Sequence, residues 1–195
     1  MSKVVADISV SLDGFVTGPD AGPGSGLGRG GEALHTWAFE LDTVDGEVLD
    51  EAIDATGVVI MGRRLFDIID APDGWNDEMG YGGTRAAQPP LLVVTRTPPA
   101  EVRLADRTTF IVDGIGSAVS KGVAMSDDRD VVIMGGGHTV RTAIEAGVVD
   151  ELRLHLAPVL LGGGTPLFTG AAPRSLRQIH VRASSHATHL TYRLD

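Results

Sequence analysis

Three places in the 195-residue chain set anion-binding groups at the end of an apolar run. The first is Met134-Gly135-Gly136-Gly137, where Val131-Val132-Ile133-Met134 runs straight into glycines and a helical pattern follows from His138 to Ala146. Glycine lets backbone approach a phosphate, and the helix behind it presents free N–H groups and a partial positive charge. A tight turn with no ligand reads the same way at this junction alone. The second is Met61-Gly62-Arg63-Arg64, with two guanidiniums at a helix N-terminus. Cations there oppose the helix dipole at about 0.3–1 kcal/mol each unless an anion neutralises them. Salt bridges to nearby carboxylates are the ordinary alternative. The third is Thr95-Arg96, which follows Leu91-Leu92-Val93-Val94.

Ligands of open α/β sheets gather at carboxyl-end loops, and arginine forks phosphate well, so the three ends together suit one extended polyphosphate. Arg96 matches a ribose 2′-phosphate better than a 2′-hydroxyl, which favours NADP over NAD. The acidic residue of the usual dinucleotide fold is missing, because Ala157 and Pro158 stand about twenty residues past the glycines. Gly26 to Gly31 spells GxGxxG literally, but inside a glycine-rich loop well beyond the first strand, and is read as chance.

The elements that must position these groups follow from periodicity. Val4 to Leu12 alternates, with Ala6, Ile8, Val10 and Leu12 on one face and Asp7, Ser9 and Ser11 on the other. Gly18 to Gly31 reads as a long flexible loop. A short helix is expected from Glu32 to Leu41. In the next one Val44, Val48, Leu49, Ala52 and Ile53 form the apolar stripe, Asp45 and its acidic neighbours face solvent, and Gly57 closes it. Buried strands are expected at 58–61, 91–95, 108–112 and 131–134, a helix at 117–125 and a second surface loop at 70–90. Glu151 to Ala157 alternates with His155 and Arg153 outward, and 178–183 with 187–194 reads as a closing hairpin. The sum is an α/β fold over residues 1–195, one domain, with a mixed, mostly parallel sheet of about eight strands and an antiparallel C-terminal hairpin.

Ser11-Leu12-Asp13-Gly14-Phe15, Met61-Gly62-Arg63-Arg64, Thr95-Arg96, Met134-Gly135-Gly136-Gly137 and Pro158-Val159-Leu160-Leu161-Gly162-Gly163-Gly164-Thr165-Pro166-Leu167-Phe168 occur in this order over nearly the whole chain. The pattern resembles the dihydrofolate-reductase-like family that includes the C-terminal reductase domain of bacterial riboflavin biosynthesis. The resemblance implies a three-layer fold, NADPH as cofactor, and hydride transfer to an unsaturated carbon or imine of a small heterocyclic substrate of pyrimidine or pterin type. It implies that Gly62, Arg63 and Arg64 hold the pyrophosphate or 2′-phosphate, and Thr95 and Arg96 the adenosine-side phosphate. Gly135 and Gly136 match the family's glycine pair, whose peptide is typically cis, while Gly137, His138 and Thr139 cap the pyrophosphate. Met61 and Met134 join the cofactor contacts from the strand ends, and Ser9, Asp13, Gly14 and Val16 border the nicotinamide. Trp37, Phe39 and Phe168 wall the substrate pocket, and a homodimer is expected. The folate enzymes' helical acid and prolines are not reproduced, so folate reduction is not inferred.

Each singled-out residue has a plainer reading. Asp13, the catalytic candidate, is by type a turn aspartate that accepts local N–H groups, and the three aromatics are by type core residues. His186 and His189 form an HxxH, which on a strand sends the two to opposite faces, so no metal is expected. Zero cysteines exclude disulfides, thiolate catalysis and a cysteine-ligated deaminase zinc. A composition 43% apolar and 22% charged excludes a disordered or fibrous class. A net charge of −10 argues against nucleic acid as partner, and the sequence lacks a signal peptide's apolar core or a membrane-spanning run, so a cytoplasmic protein without membrane contact is expected. The rivals are an NADP(H)-binding module or redox sensor without turnover and an ordinary NAD-binding Rossmann protein; the antiparallel tail and the displaced glycines weigh against the latter.

Overall fold

Apolar runs such as Val58-Val59-Ile60-Met61 need cover on both faces, and that requirement sets the layers. The structure is a computed structural model and describes residues 2–22, 24–76, 78–81, 83, 88–170 and 172–194. In chain order the elements begin β1 (Val4–Ser11), β2 (Phe15–Thr17), α1 (Thr36–Phe39), α2 (Thr43–Ala55), β3 (Thr56–Gly62), α3 (Arg63–Ile69), β4 (Leu91–Val94) and β5 (Thr108–Ile111). They continue α4 (Ile115–Met125), β6 (Asp130–Ile133), α5 (Gly137–Glu145), β7 (Glu151–Ala157), β8 (Thr165–Pro166), β9 (Arg177–Ala183) and β10 (Thr188–Arg193).

Eight strands form one sheet in the order β5-β4-β3-β6-β1-β7-β10-β9. The six from β5 to β7 are parallel, and β10 and β9 close it antiparallel, as expected. On one face Ala6, Ile60, Ile133 and Leu152 pack under Ala118 and Val119 of α4 and Val140 and Ala143 of α5. On the other, Val59, Met61, Leu91 and Val93 pack under Phe66 and Ile69 of α3. The carboxyl ends of β4, β3 and β6 therefore emerge side by side. No helix among the described residues is long and apolar enough to cross a membrane.

The departures from expectation have local causes. The 32–41 helix splits into a 3-10 turn, Gly31–His35, and the single turn α1. At the end of α2 the Thr56 hydroxyl donates to the Ala52 carbonyl at 2.6 Å, so Gly57 lies inside β3 rather than closing the helix. Asp45 is not solvated: it is fully buried, at the third position of a capping box with Asp42. The 18–31 loop is folded on itself by Gly18 N–H to Leu27 O and Arg29 N–H to Pro19 O. Gly28 has φ 71°, and a Cβ there would stand 2.4 Å from the Gly18 carbonyl oxygen, so only glycine permits this crossing. Part of the 70–90 loop, residues 77, 82 and 84–87, lies outside the described residues. The glycine-rich segment after β7 returns as β8 to pair with β2 in a separate two-stranded sheet.

Candidate functional site

A cleft of about 1450 Å³ runs across the adjacent strand ends. Single drug-sized ligands fill roughly 300–1,000 Å³, so this volume suits a larger ligand or two together. Its two ends differ in chemistry.

At one end, Gly62 is the N-cap of α3 and Gly136 the N-cap of α5, both in extended conformation. Neither position offers a capping side chain, so both helix starts are open to an outside acceptor. The Gly135–Gly136 peptide is cis. A Cβ at Gly136 would meet nothing within 4 Å, which leaves bare backbone facing the cleft. At Gly62 the opposite holds: a Cβ would sit 2.3 Å from Oγ1 of Thr139, so β3 and the first turn of α5 meet backbone to side chain. Arg63 is already committed, with Nε donating to Asp67 at 2.5 Å and a terminal nitrogen to the Thr97 carbonyl at 2.7 Å. Arg64 and Arg96 are exposed and make no hydrogen bond or ion pair among the described residues. Thr95 holds its own turn, its hydroxyl bonded to the Thr97 carbonyl at 3.0 Å. Met134, Gly135, Gly137, His138 and Thr139 complete this end of the lining. Two guanidiniums without a partner among the described residues, beside two helix starts with no capping side chain, give this end donors and positive charge suited to an anion.

The other end is aromatic and buried. Ser9 on β1 accepts from Trp37 Nε1 at 3.0 Å, and the indole stacks on His155 with centroids 4.0 Å apart and planes 27° off parallel. His155 Nε2 meets Asp7 Oδ1 at 2.9 Å, its Nδ1 meets His189 Nδ1 at 2.7 Å, and His189 Nε2 meets Asp45 Oδ1 at 2.8 Å. Asp45 Oδ2 accepts from His186 Nδ1 at 2.8 Å. Burial raises the Asp7 carboxyl, but the neighbouring His155 imidazole together with Arg153 and His189 outweighs it, so the pKa lies below the ordinary carboxylate value. His189 is held below the ordinary imidazole value, burial prevailing over the Asp45 carboxylate. His35, on the cleft wall, is lowered by burial and then by His155, and its Nδ1 is buried without a hydrogen-bond partner among the described residues.

The structure brings Ser9, Val16, Trp37, Phe39 and the three strand-end groups to one cleft, with Gly62, Arg63, Arg96 and Gly136 facing shared space. It does not bring four expected residues to that lining. Asp13 accepts from the Ser11 hydroxyl at 2.5 Å and from the Leu161 and Gly162 N–H groups at 3.1 and 2.7 Å, bonds that lower its carboxyl. Its carboxylate thus pins the loop after β7. Gly14 accepts from Leu167 N–H through its carbonyl, Met61 is fully buried in the core, and Phe168 is half exposed elsewhere.

Asp7, His155, His189, Asp45 and His35 were missed from sequence. Alternation placed Asp7 and His155 on polar faces correctly, but those faces are covered by α1 and α2, and His155 is 3% exposed. The HxxH argument also fails here. His186 lies in the turn before β10, not on the strand, so both histidines converge on Asp45. Donor atoms of Asp42, Asp45 and His186 lie within 4.8 Å of one another, already hydrogen bonded within the protein.

Residues 2–190 match the family described as RibD C-terminal domain. The uncharacterized protein YyaP of Bacillus subtilis strain 168 is 25% identical over 190 residues, covering 94% of this chain and 89% of its own. A riboflavin-biosynthesis candidate from Shewanella sp. PV-4 superposes with a TM-score of 0.72 at 23% identity over 98% of both chains. The diaminohydroxyphosphoribosylaminopyrimidine deaminase/5-amino-6-(5-phosphoribosylamino)uracil reductase of Thermotoga maritima gives a TM-score of 0.61 at 13% identity, covering 98% of this chain and 56% of its own. The fold is thus that of these reductase domains, the dihydrofolate reductase-like fold.

Proposed function

The chain belongs to the RibD C-terminal domain family, and from that premise we propose that it is an NADPH-dependent reductase of a small heterocyclic substrate of pyrimidine or pterin type. The observation that carries this reading is one cleft with two unlike ends, one with Arg64 and Arg96, which have no partner among the described residues, and the other an aromatic, hydrogen-bonding chamber around Trp37 and Ser9. A dinucleotide with an extra phosphate matches the first, and a planar ring with polar edges matches the second.

Bound in this cleft, the reduced nicotinamide supplies the hydride. In this reading the open first turns of α3 and α5 hold the pyrophosphate, and Arg96 with Arg64 neutralises the 2′-phosphate. Val16, packed against Gly137, and Ser9 would border the nicotinamide. Trp37, buried, and Phe39, exposed, flank the substrate ring.

Binding measured by quenching of dinucleotide fluorescence tests the proposal. NADPH should bind at least tenfold more tightly than NADH, and Arg96→Ala should remove most of that preference, in line with about 1.5–3 kcal/mol for a charge-assisted hydrogen bond. Failure to bind either dinucleotide sinks the reading. Tight NADPH binding with no turnover of pyrimidine, pterin and quinone acceptors makes the protein a binding module instead.

A further inference from the structure

Behind the aromatic chamber, Asp7, His155, His189 and Asp45 form an unbroken chain of three contacts between side chains on β1, β7, β10 and α2. Each contact needs one hydrogen. The outer two are to carboxylates, which when ionised only accept, so both Nε2 atoms carry hydrogen. The facing Nδ1 atoms, 2.7 Å apart, must share a third. Three protons on four ring nitrogens leave the imidazole pair with one positive charge, held between two carboxylates. Both rings are buried, and the indole of Trp37, stacked on His155 with centroids 4.0 Å apart, attracts a cation and so favours that ring for the charge.

A second arrangement satisfies the same three contacts. If the Nε2 proton of His155 moves to Asp7 Oδ1, the acid O–H donates back to Nε2. His155 Nδ1–H still donates to His189, and His189 Nε2–H to Asp45. No hydrogen bond is lost and both histidines become neutral. Asp7 thus changes from carboxylate to carboxylic acid by one hop. It lines the cleft with its side chain 15% exposed, and its Oδ2 has no hydrogen-bond partner among the described residues.

We propose that Asp7 is the proton donor of the reduction and that the buried His155–His189 pair, anchored by Asp45, is the store that charges it. The proposal rests on the reductase reading above. Hydride addition to one atom of a C=N or C=C bond leaves an electron pair on the other. The Asp7 O–H bond breaks as a bond from that atom to hydrogen forms, with the hydride taken from the reduced nicotinamide. Asp7 is then a carboxylate facing a neutral pair. After product leaves, a solvent proton enters through the open cleft onto Asp7 and passes to His155 Nε2, which restores the starting state. Charged and titratable groups that face the pair are Asp7 on β1, Asp45 on α2, His35 from the 3-10 turn and Arg153 on β7 itself, with Tyr81 and His186 one contact further out.

The test is nitrogen NMR on the full chain with 15N-labelled histidine, paired with kinetics of Asp7→Asn. At pH 7.5 both His155 nitrogens should carry protons, and in Asp7→Asn its titration midpoint should fall by at least one pH unit, because the flanking charge is gone. His189→Gln, which removes the Nδ1 acceptor, should lower it as well and serves if Asp7→Asn does not fold. A neutral His155 in the native protein, or a midpoint unmoved in the folded variants, overturns the store. With whichever pyrimidine, pterin or quinone acceptor the native protein reduces, Asp7→Asn should lower kcat about 100-fold or more with NADPH affinity within twofold. An unchanged kcat overturns the donor role alone. Absent NADPH binding or turnover overturns it together with the reductase reading, while the spectra decide the proton positions independently.

Discussion

Replacing Gly62 by alanine probes whether the end of β3 and the first turn of α5, both lining the cleft, are built as one unit. The backbone at Gly62, φ −83° and ψ 158°, suits alanine, and fewer unfolded conformations would by themselves stabilise by about 0.4–1 kcal/mol. The new methyl, however, would stand 2.3 Å from Thr139 Oγ1, so that hydroxyl must retreat by roughly 0.7 Å or swing to its other rotamer. Overpacking of this kind costs about 1–3 kcal/mol, so the net expectation is a loss of about 1–2 kcal/mol, or roughly 3–6 °C in Tm for a chain of this size. Thr139→Ala removes the clashing atom and leaves Cβ, which is 3.7 Å away in ordinary contact. The double variant should therefore recover most of the loss, with a coupling of about 1–2 kcal/mol in a thermal or urea double-mutant cycle. NADPH affinity should fall in Gly62→Ala and return in the double variant. If Gly62→Ala melts with the native protein and the coupling is within about 0.3 kcal/mol, the two ends are not packed as described.

Two further expectations concern pH. Asp42 accepts from the Ser185 N–H and hydroxyl and from the Asp45 N–H, which hold its carboxyl well below the ordinary range. A depressed acid stabilises above its unfolded pKa of about 4 and loses that as pH falls. Asp42→Ala should thus lower Tm by a few degrees at pH 7 and flatten the acid limb, as followed by circular dichroism. His35 has the opposite charge type and the same sign: its lowered pKa gives stability present above about pH 6.5 and lost as pH falls through it. His35→Leu should reduce the slope of urea-unfolding free energy between pH 7.5 and 5 by up to about 1.4 kcal/mol per unit; an unchanged slope would show that His35 does not titrate with unfolding.

Much of the frame was legible because parallel strands buried on both faces leave continuous apolar runs, as at Val58 to Met61, and glycines mark where they end. The convergence of Gly62, Thr95, Arg96 and Gly136 on one cleft was legible for the same reason: they sit at those ends. The buried polar chain was not. Alternation says which side chains share a face but not what covers that face: Asp7 reads as opposite the apolar face, His155 as outward and Asp45 as solvated, because their types usually go there. Only the return of β10 beside β7 and the inward turn of α2 make them interior. Asp13 illustrates the converse, since a signature position is spent on holding a loop, which spacing alone could not reveal.

The sheet order carries a consequence for assembly. β10 follows every other strand in the chain yet sits inside the sheet between β7 and β9, and it brings His189 to the rear wall of the chamber. A ribosome that has released everything up to β9 has made the glycine and arginine strand ends of the cleft but not that wall. Until the closing strand docks, His155 and Asp45 lack the partner that joins them, so the polar chain behind Trp37 is completed by the last strand to leave the ribosome.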